Sequence, residues 1–219
     1  PVAVLAGGDK ILTKSALIDG MLWILADGPV TIKLTENEKL YTDVSGHWGA
    51  ADVAFVSGRG LFLGVDDTRF DPDGAMTRAM LTTVLYRLEG EPDGAAGKRF
   101  DDVAADAWYA RAVAWAAEEQ IVLGTDNGFD PEGTITREQL AAMLCRYAAY
   151  LGLDTSARGG LDGFSDAAAA SEWALQPLGW CVENGILTGK GDGILDAGGS
   201  TTRAEVAAML CRFMKLLLK

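Results

Sequence analysis

Residues 136–147 read Thr136-Arg137-Glu138-Gln139-Leu140-Ala141-Ala142-Met143-Leu144-Cys145-Arg146-Tyr147, and residues 202–213 return as Thr202-Arg203-Ala204-Glu205-Val206-Ala207-Ala208-Met209-Leu210-Cys211-Arg212-Phe213. Each stretch opens on a residue that caps helices. Each then carries an apolar stripe at helical spacing: Leu140, Met143-Leu144, Tyr147 and Leu151 in one, Val206, Met209-Leu210, Phe213 and Leu217 in the other. A more divergent copy begins at Thr77-Arg78 and places Arg87 where the others have Arg146 and Arg212. A helix apolar on one side must be covered, and three such helices can cover one another about a pseudo-threefold axis.

Upstream of each of these helices the same residue types recur at fixed offsets. Trp48, Trp108 and Trp173 are followed after seven residues by Phe55, Trp115 and Trp180, after thirteen by Leu61, Ile121 and Ile186, and after sixteen by Gly64, Gly124 and Gly189. A period of roughly 60 residues signals three similar units stacked together, with function sought at their joints. Each repeat opens on a short segment (Tyr41-Thr42-Asp43-Val44, Phe100-Asp101-Asp102-Val103, Phe164-Ser165-Asp166) and enters a first helix near its Trp. Gly60 and Gly185 suit the left-handed position that ends a helix, a place taken by Gln120 in repeat two. A turn follows, Phe70-Asp71-Pro72-Asp73-Gly74 and Phe129-Asp130-Pro131-Glu132-Gly133, loosened to Leu195-Asp196-Ala197-Gly198-Gly199 in repeat three. Gly-rich linkers are expected over Glu91–Arg99 and Gly152–Gly163.

Residues 1–40 do not join the repeat. Ile11–Ile18, Met21–Ala26 and Val30–Leu34 are short apolar runs separated by Asp19-Gly20 and Asp27-Gly28-Pro29, which predicts a small β-meander left over from an upstream domain. The expected division is thus 1–40, then repeats over 41–98, 99–160 and 161–219.

Lys and Arg number 19 against 31 Asp and Glu, a net charge of −12. That argues against a nucleic-acid partner and against attraction to anionic lipid, while a few placed arginines remain able to hold an acidic glycan. No apolar run approaches the roughly 20 residues that cross a bilayer. No signal sequence is visible, and the opening at Pro1 within an apolar stretch reads as a cut from something longer. Cys145 and Cys211 stand at matched helical places and are expected to be buried, reduced packing thiols.

Thr136 with Gln139, and Thr202 with Glu205, fit capping boxes. The box is broken at Met80. Capping does not explain Arg78, Arg137 and Arg203: a cation in the first helical turn faces the positive end of the helix dipole, at a cost of about 0.3–1 kcal/mol. An anion must compensate. It is the Asp that opens a repeat (Asp43, Asp102, Asp166), or a bound carboxylate, which the planar fork of Arg and a helix N-terminus both favour, or both, with Arg bridging the Asp and the ligand. Trp115, Trp180 and Phe55 lie on the apolar helix face and read as core. Trp48, Trp108 and Trp173 sit among polar residues, where a ring is either buried or left open to stack on a sugar.

Catalysis finds little support. His47 is the only histidine and is matched by Ala107 and Glu172. Asp66-Asp67, Asp71 and Asp73 are background in so acidic a chain. Asp126-Asn127-Gly128 and Asp192-Gly193 lack the spacing of a calcium loop. No metal and no cofactor is expected.

Each repeat resembles an S-layer homology domain, through its Phe-x-Asp-Val opening, Trp, apolar helix, glycine loop and a helix start related to Ile-Thr-Arg-Ala-Glu. The resemblance runs from Tyr41 to about Lys215. It implies an all-α pseudo-trimer around a central three-helix bundle, with the small β-rich N-terminal segment beside it. It also implies a non-enzymatic module on the outer surface of a bacterial cell. Such a module anchors a secreted protein to secondary cell wall polysaccharide linked to peptidoglycan, an acidic and often pyruvylated glycan held in grooves between repeats. By position, the implied glycan-binding residues are Arg78, Arg137, Arg203, Trp48, Trp108, Trp173, Asp43, Asp102 and Asp166. The runner-up is a protein–protein module within a surface layer. Repeat one lacks the Glu of the motif, repeat two reads Thr136-Arg137-Glu138-Gln139, and repeat three has Leu195 and Ala197 for Phe and Pro, so the grooves are not expected to be equivalent.

Overall fold

Thr136 and Thr202 do start helices. In the computed structural model, which describes residues 1–219 apart from 7, 27, 94–99 and 126, the elements are β1 (Val2–Leu5), β2 (Ser15–Ile18), β3 (Met21–Ile24), β4 (Ile32–Thr35), α1 (Ala50–Gly58), α2 (Arg78–Glu89), α3 (Ala110–Glu118), α4 (Arg137–Tyr150), α5 (Leu175–Glu183) and α6 (Arg203–Leu217), with three short 3-10 turns before α5. Asp27, Asp126 and most of the Glu91–Arg99 linker lie outside the described residues. The chain divides into two compact units. The first holds Pro1–Gly74, Arg87–Gly90 and Thr202–Lys219; the second holds Ala75–Tyr86 and Glu91–Thr201.

In the second unit, both halves of the capping box at Thr136 and Gln139 are made, and the same box forms at Thr202 and Glu205 in the first unit. At α2 the hydroxyl of Thr77 still accepts from the Met80 amide, so half the cap survives without a Glu. Just before the helices, three backbone hydrogen bonds close a ring within the second unit: Ile135 N–H to Met76 C=O at 2.9 Å, Thr201 N–H to Ile135 C=O at 3.0 Å, and Met76 N–H to Thr201 C=O at 3.0 Å. Equivalent residues of the three repeats thus bond to one another in a cycle. The core of this unit is built where α4 packs on α5, with Leu140, Leu144, Tyr147, Trp180 and Cys181 buried.

The first helices end as the sequence predicts, on left-handed residues: Gly60 at φ 69°, Gly185 at φ 66° and Gln120 at φ 57°. Gln120 bears a Cβ in that conformation, which costs about 1 kcal/mol. Gln120→Gly is therefore expected to stabilise the protein by about 0.5–1 kcal/mol, read as a higher urea midpoint. An unchanged or lower midpoint would show that the strain is relieved some other way.

In the first unit, Asp19 and Gly20 (φ 52° and 79°) form the turn that joins β2 to β3, as expected of Asp-Gly. The meander is corrected. β4 does not continue from β3 but pairs antiparallel with β1, Val2 opposite Thr35 and Leu5 opposite Ile32, which makes two separate two-stranded sheets. β1 is an unbroken apolar run without alternation, and the Gly7-Gly8-Asp9 stretch that follows it in sequence points to no partner as distant as β4. This segment satisfies helix ends. Asn37 Nδ2 donates to the Gly58 carbonyl at 2.6 Å and Thr13 Oγ1 to the Leu88 carbonyl at 2.9 Å, both at C-terminal turns where carbonyls lack partners. Lys14 pairs with Glu89 at 2.7 Å.

Phe55 is also corrected: it is half-exposed, not core, and the Arg59 guanidinium lies 3.7 Å over its ring. Arg59 itself is buried, donating to the carbonyls of Ser15 and Phe55. Burial pushes it down to about 10. Cys145, Cys181 and Cys211 are all free and buried, in agreement with the packing role expected of the matched pair. Burial raises the Cys211 thiol to about 11.

Candidate glycan-binding site

Arg78, Arg137 and Arg203 are buried, at 6%, 4% and 4% exposure. Each turns its Nε onto a backbone carbonyl in the turn of the next repeat. Arg78 reaches Phe129 at 2.7 Å and Arg137 reaches Leu195 at 2.9 Å in the second unit, and Arg203 reaches Phe70 at 2.8 Å in the first. Arg78 also donates to Leu123 at 3.2 Å and Arg203 to Leu63 at 2.8 Å. The opening aspartates grip the same turns from the other side. Asp102 accepts from the amides of Phe129 and Asp130 (2.8 and 2.6 Å), Asp43 from Phe70 and Asp71 (2.9 and 2.7 Å), and Asp166 from Leu195 and Asp196 (2.7 and 2.8 Å). Arg and Asp therefore meet on the N–H and C=O of one residue rather than on each other. The accepted amides of Leu195 and Asp196 hold the Asp166 carboxyl below its usual value, with a smaller contribution from Arg137.

The amides at each helix start are already spent. Those of Arg78 and Ala79 go to Gly133 and Pro131, those of Arg137 and Glu138 to Gly199 and Ala197, and those of Arg203 and Ala204 to Gly74 and Pro72. The sequence reading that these N-termini attract an anion through their amides is thus corrected: the turn carbonyls occupy them.

The tryptophans separate clearly. Trp115 and Trp180 are 4% and 1% exposed, whereas Trp48, Trp108 and Trp173 are 62%, 62% and 53% exposed. Trp48 lies beside the His47 ring, and His47 itself contacts Asp73 at 3.3 Å. Trp173 borders a groove of about 330 Å³ in the second unit, together with Arg78, Leu123, Gly124, Gln139 and Arg146. Gly124 has no room for a Cβ, which would stand 2.6 Å from the Phe100 ring. This explains the glycine column, since Gly64 and Gly189 meet Tyr41 and Phe164 in the same way.

Glu138 sets the position of Trp173. Its carboxylate accepts from both the amide and the hydroxyl of Ser171, each at 3.0 Å, holding the short turn Glu172–Ala174 against α4. The other repeats have Ala79 and Ala204 at this place. Sequence reasoning took Glu138 only as a departure from the motif. It took Gln139 only as a cap, and it noted the Arg87, Arg146, Arg212 column without giving it a role.

Among the described residues no group of three or more His, Cys, Asp or Glu is placed to hold a metal ion, and no helix is long and apolar enough to cross a membrane. The groove sets guanidinium and amide groups beside an open aromatic ring.

The S-layer homology domain family matches three stretches, residues 40–79, 99–141 and 163–207. The chain belongs to that family. Similar proteins include the S-layer protein sap of Bacillus anthracis, 30% identical over 80% of this chain and 21% of that protein. The amylopullulanase of Thermoanaerobacterium thermosulfurigenes is 29% identical over 80% of this chain and 9% of its own length. The cellulosome-anchoring protein of Acetivibrio thermocellus is 26% identical over 67% and 33%. The chain thus spans a third or less of each. Its three S-layer homology repeats place it at the cell surface, associated with the cell wall, as an anchoring module.

Proposed function

We propose that this triplet of S-layer homology repeats holds a larger protein to the cell wall by binding an acidic secondary wall polysaccharide, pyruvylated N-acetylmannosamine being the sugar it suits best, and that it binds without catalysing. The groove bordered by Arg78, Gln139, Arg146 and Trp173 carries this reading, because a locally cationic, aromatic-edged cleft in a chain of net charge −12 needs a specific cause. The ring surfaces of Trp48, Trp108 and Trp173 stack on sugar faces. Arg78, Arg137 and Arg203 supply positive potential, and Asp43, Asp102 and Asp166 hold the turns that shape the walls. The three repeats, over 41–98, 99–160 and 161–219, are read as a pseudo-trimer with α2, α4 and α6 at its centre. The cyclic bonding of Met76, Ile135 and Thr201 supports this arrangement.

Sedimentation with purified wall sacculi tests the function. The protein is expected to pellet with intact sacculi and to stay in the supernatant once hydrofluoric acid has stripped the secondary polymer. Pelleting that survives stripping would assign the partner to peptidoglycan or to an envelope protein instead.

A further inference from the structure

Repeat one lacks the buried ring that fixes the first helix of the other repeats. Trp115 of α3 and Trp180 of α5 are buried, whereas Phe55, at the matched place on α1, is half-exposed beneath the Arg59 guanidinium. α1 has only nine residues, and its N-cap, Gly49, has no side chain to cap with. A helix that short does not hold itself in water, so its place depends on what packs against it. α6 packs on it from one side. The N-terminal segment, through residues 2–5, 11–24 and 32–37, supplies the rest.

Repeat one meets this segment with residues that the other repeats do not share. Gly58, Arg59 and Glu89 stand where repeat two has Glu118, Glu119 and Ala148, and where repeat three has Glu183, Asn184 and Met214. Each of the three has a use in the docking. A Cβ on Gly58 would stand 2.8 Å from the Asn37 carbonyl oxygen, so the backbone of the segment passes where only glycine leaves room. Asn37 Nδ2 then closes on the Gly58 carbonyl. Arg59, 6% exposed, donates Nε to the Ser15 carbonyl at 2.7 Å. Glu89 pairs with Lys14, both side chains largely covered, beside the bond from Thr13 to the Leu88 carbonyl. The segment contributes its own buried residues, Val2, Ala3, Val4, Ser15, Ala16 and Ile18. A leftover of a separate domain would not be matched so closely by one repeat in three.

We infer that the N-terminal segment is a strap belonging to the wall anchor, which holds α1 and the end of α2 in place of the missing ring. It thereby keeps repeat one, with the exposed Trp48 just ahead of α1, in its working form. The part concerning the wall rests on the function proposed above, and the strap itself does not. With the strap lifted, Arg59 loses its acceptor at Ser15 and α1 is left to α6 alone. Cys211, 3% exposed on α6 beside Asp52 and Arg59 of α1, then opens to solvent. Cys145 and Cys181 belong to the second unit and should not respond.

Gly58→Ala tests this, because two causes push it in opposite directions. Alanine favours a helix over glycine, so without a strap the variant gains stability. With the strap, the new methyl group strikes the Asn37 carbonyl. The urea midpoint is therefore expected to fall. Cys211 is expected to react with iodoacetamide about 10-fold faster or more, read by peptide mass spectrometry, while Cys145 and Cys181 keep their rates. Asn37→Ala, which leaves α1 untouched, should expose the same cysteine. Both variants should pellet with sacculi less completely than wild type. A higher midpoint for Gly58→Ala, or a Cys211 as inert as in wild type in both variants, overturns the strap. An opened Cys211 with wild-type pelleting overturns its part in the anchor. A wild-type protein that ignores sacculi removes the wall reading instead, and the midpoint and the labelling still decide the strap.

Discussion

Arg203→Gln is expected to lower the free energy of unfolding by about 3 kcal/mol. The side chain is 4% exposed, donates to the carbonyls of Phe70 and Leu63 at 2.8 Å each, and lays its planar group over the rings of Phe62 and Phe70 at 4.4 and 4.6 Å. Glutamine is too short to reach both carbonyls, and each one left unpaired costs about 1–3 kcal/mol. The lost ring contact adds about 0.5–2 kcal/mol. Relief of the helix dipole returns only about 0.3–1 kcal/mol. The loss should also loosen the turn that Asp43 holds from its amide side, because Phe70 is the residue both side chains grip. Denaturant unfolding gives the number directly. A variant as stable as wild type would remove Arg203 from the frame and return it to the ligand alone.

Leu144→Ala should cost about 2–5 kcal/mol, the range set by how far a core can collapse around a lost side chain. Leu144 is 0% exposed, on the face of α4 that also buries Leu140 and Tyr147. Leu210 holds the matched place on α6 and is likewise 0% exposed. A drop below 1 kcal/mol at Leu144 would mean that the repeated stripe of apolar residues is not what the helix is for.

Much of this was legible without coordinates. Capping chemistry is local, so Thr136, Gln139, Thr202 and Glu205 announce their helix starts from four consecutive letters, and the structure makes both boxes. Chain-reversing residues are local as well, which is why Gly60, Gly185, Asp19 and Gly20 stand in the left-handed region where their neighbours predict it. The strand pairing of the N-terminal segment was not local. β1 and β4 join across some thirty residues, and neither carries a turn that points to the other.

The arginine conflict shows where sequence reasoning stops. It established that a cation stood three times in an unfavourable place and that something must compensate it. It searched for a charged partner, because charged partners are visible as letters. The acceptors are instead backbone carbonyls 51, 58 and 133 residues away. Every residue has a carbonyl, so no letter marks the ones that matter. Trp48, Trp108 and Trp173 differ from Trp115 and Trp180 in the same way, since one residue type is open or buried according to what packs against it.

By itself, then, the sequence determined the threefold repeat, the starts of the capped helices, the apolar faces apart from Phe55, and the family, all of which follow from periodicity and short-range chemistry. Only the tertiary structure decided which guanidinium is spent on the scaffold and which is left over. That distinction depends on desolvation and on acceptors brought together from distant turns: Arg78, at the start of α2, donates to the Phe129 and Leu123 carbonyls, whereas Arg146, inside α4 in the wall of the same groove, meets no acceptor among the described residues.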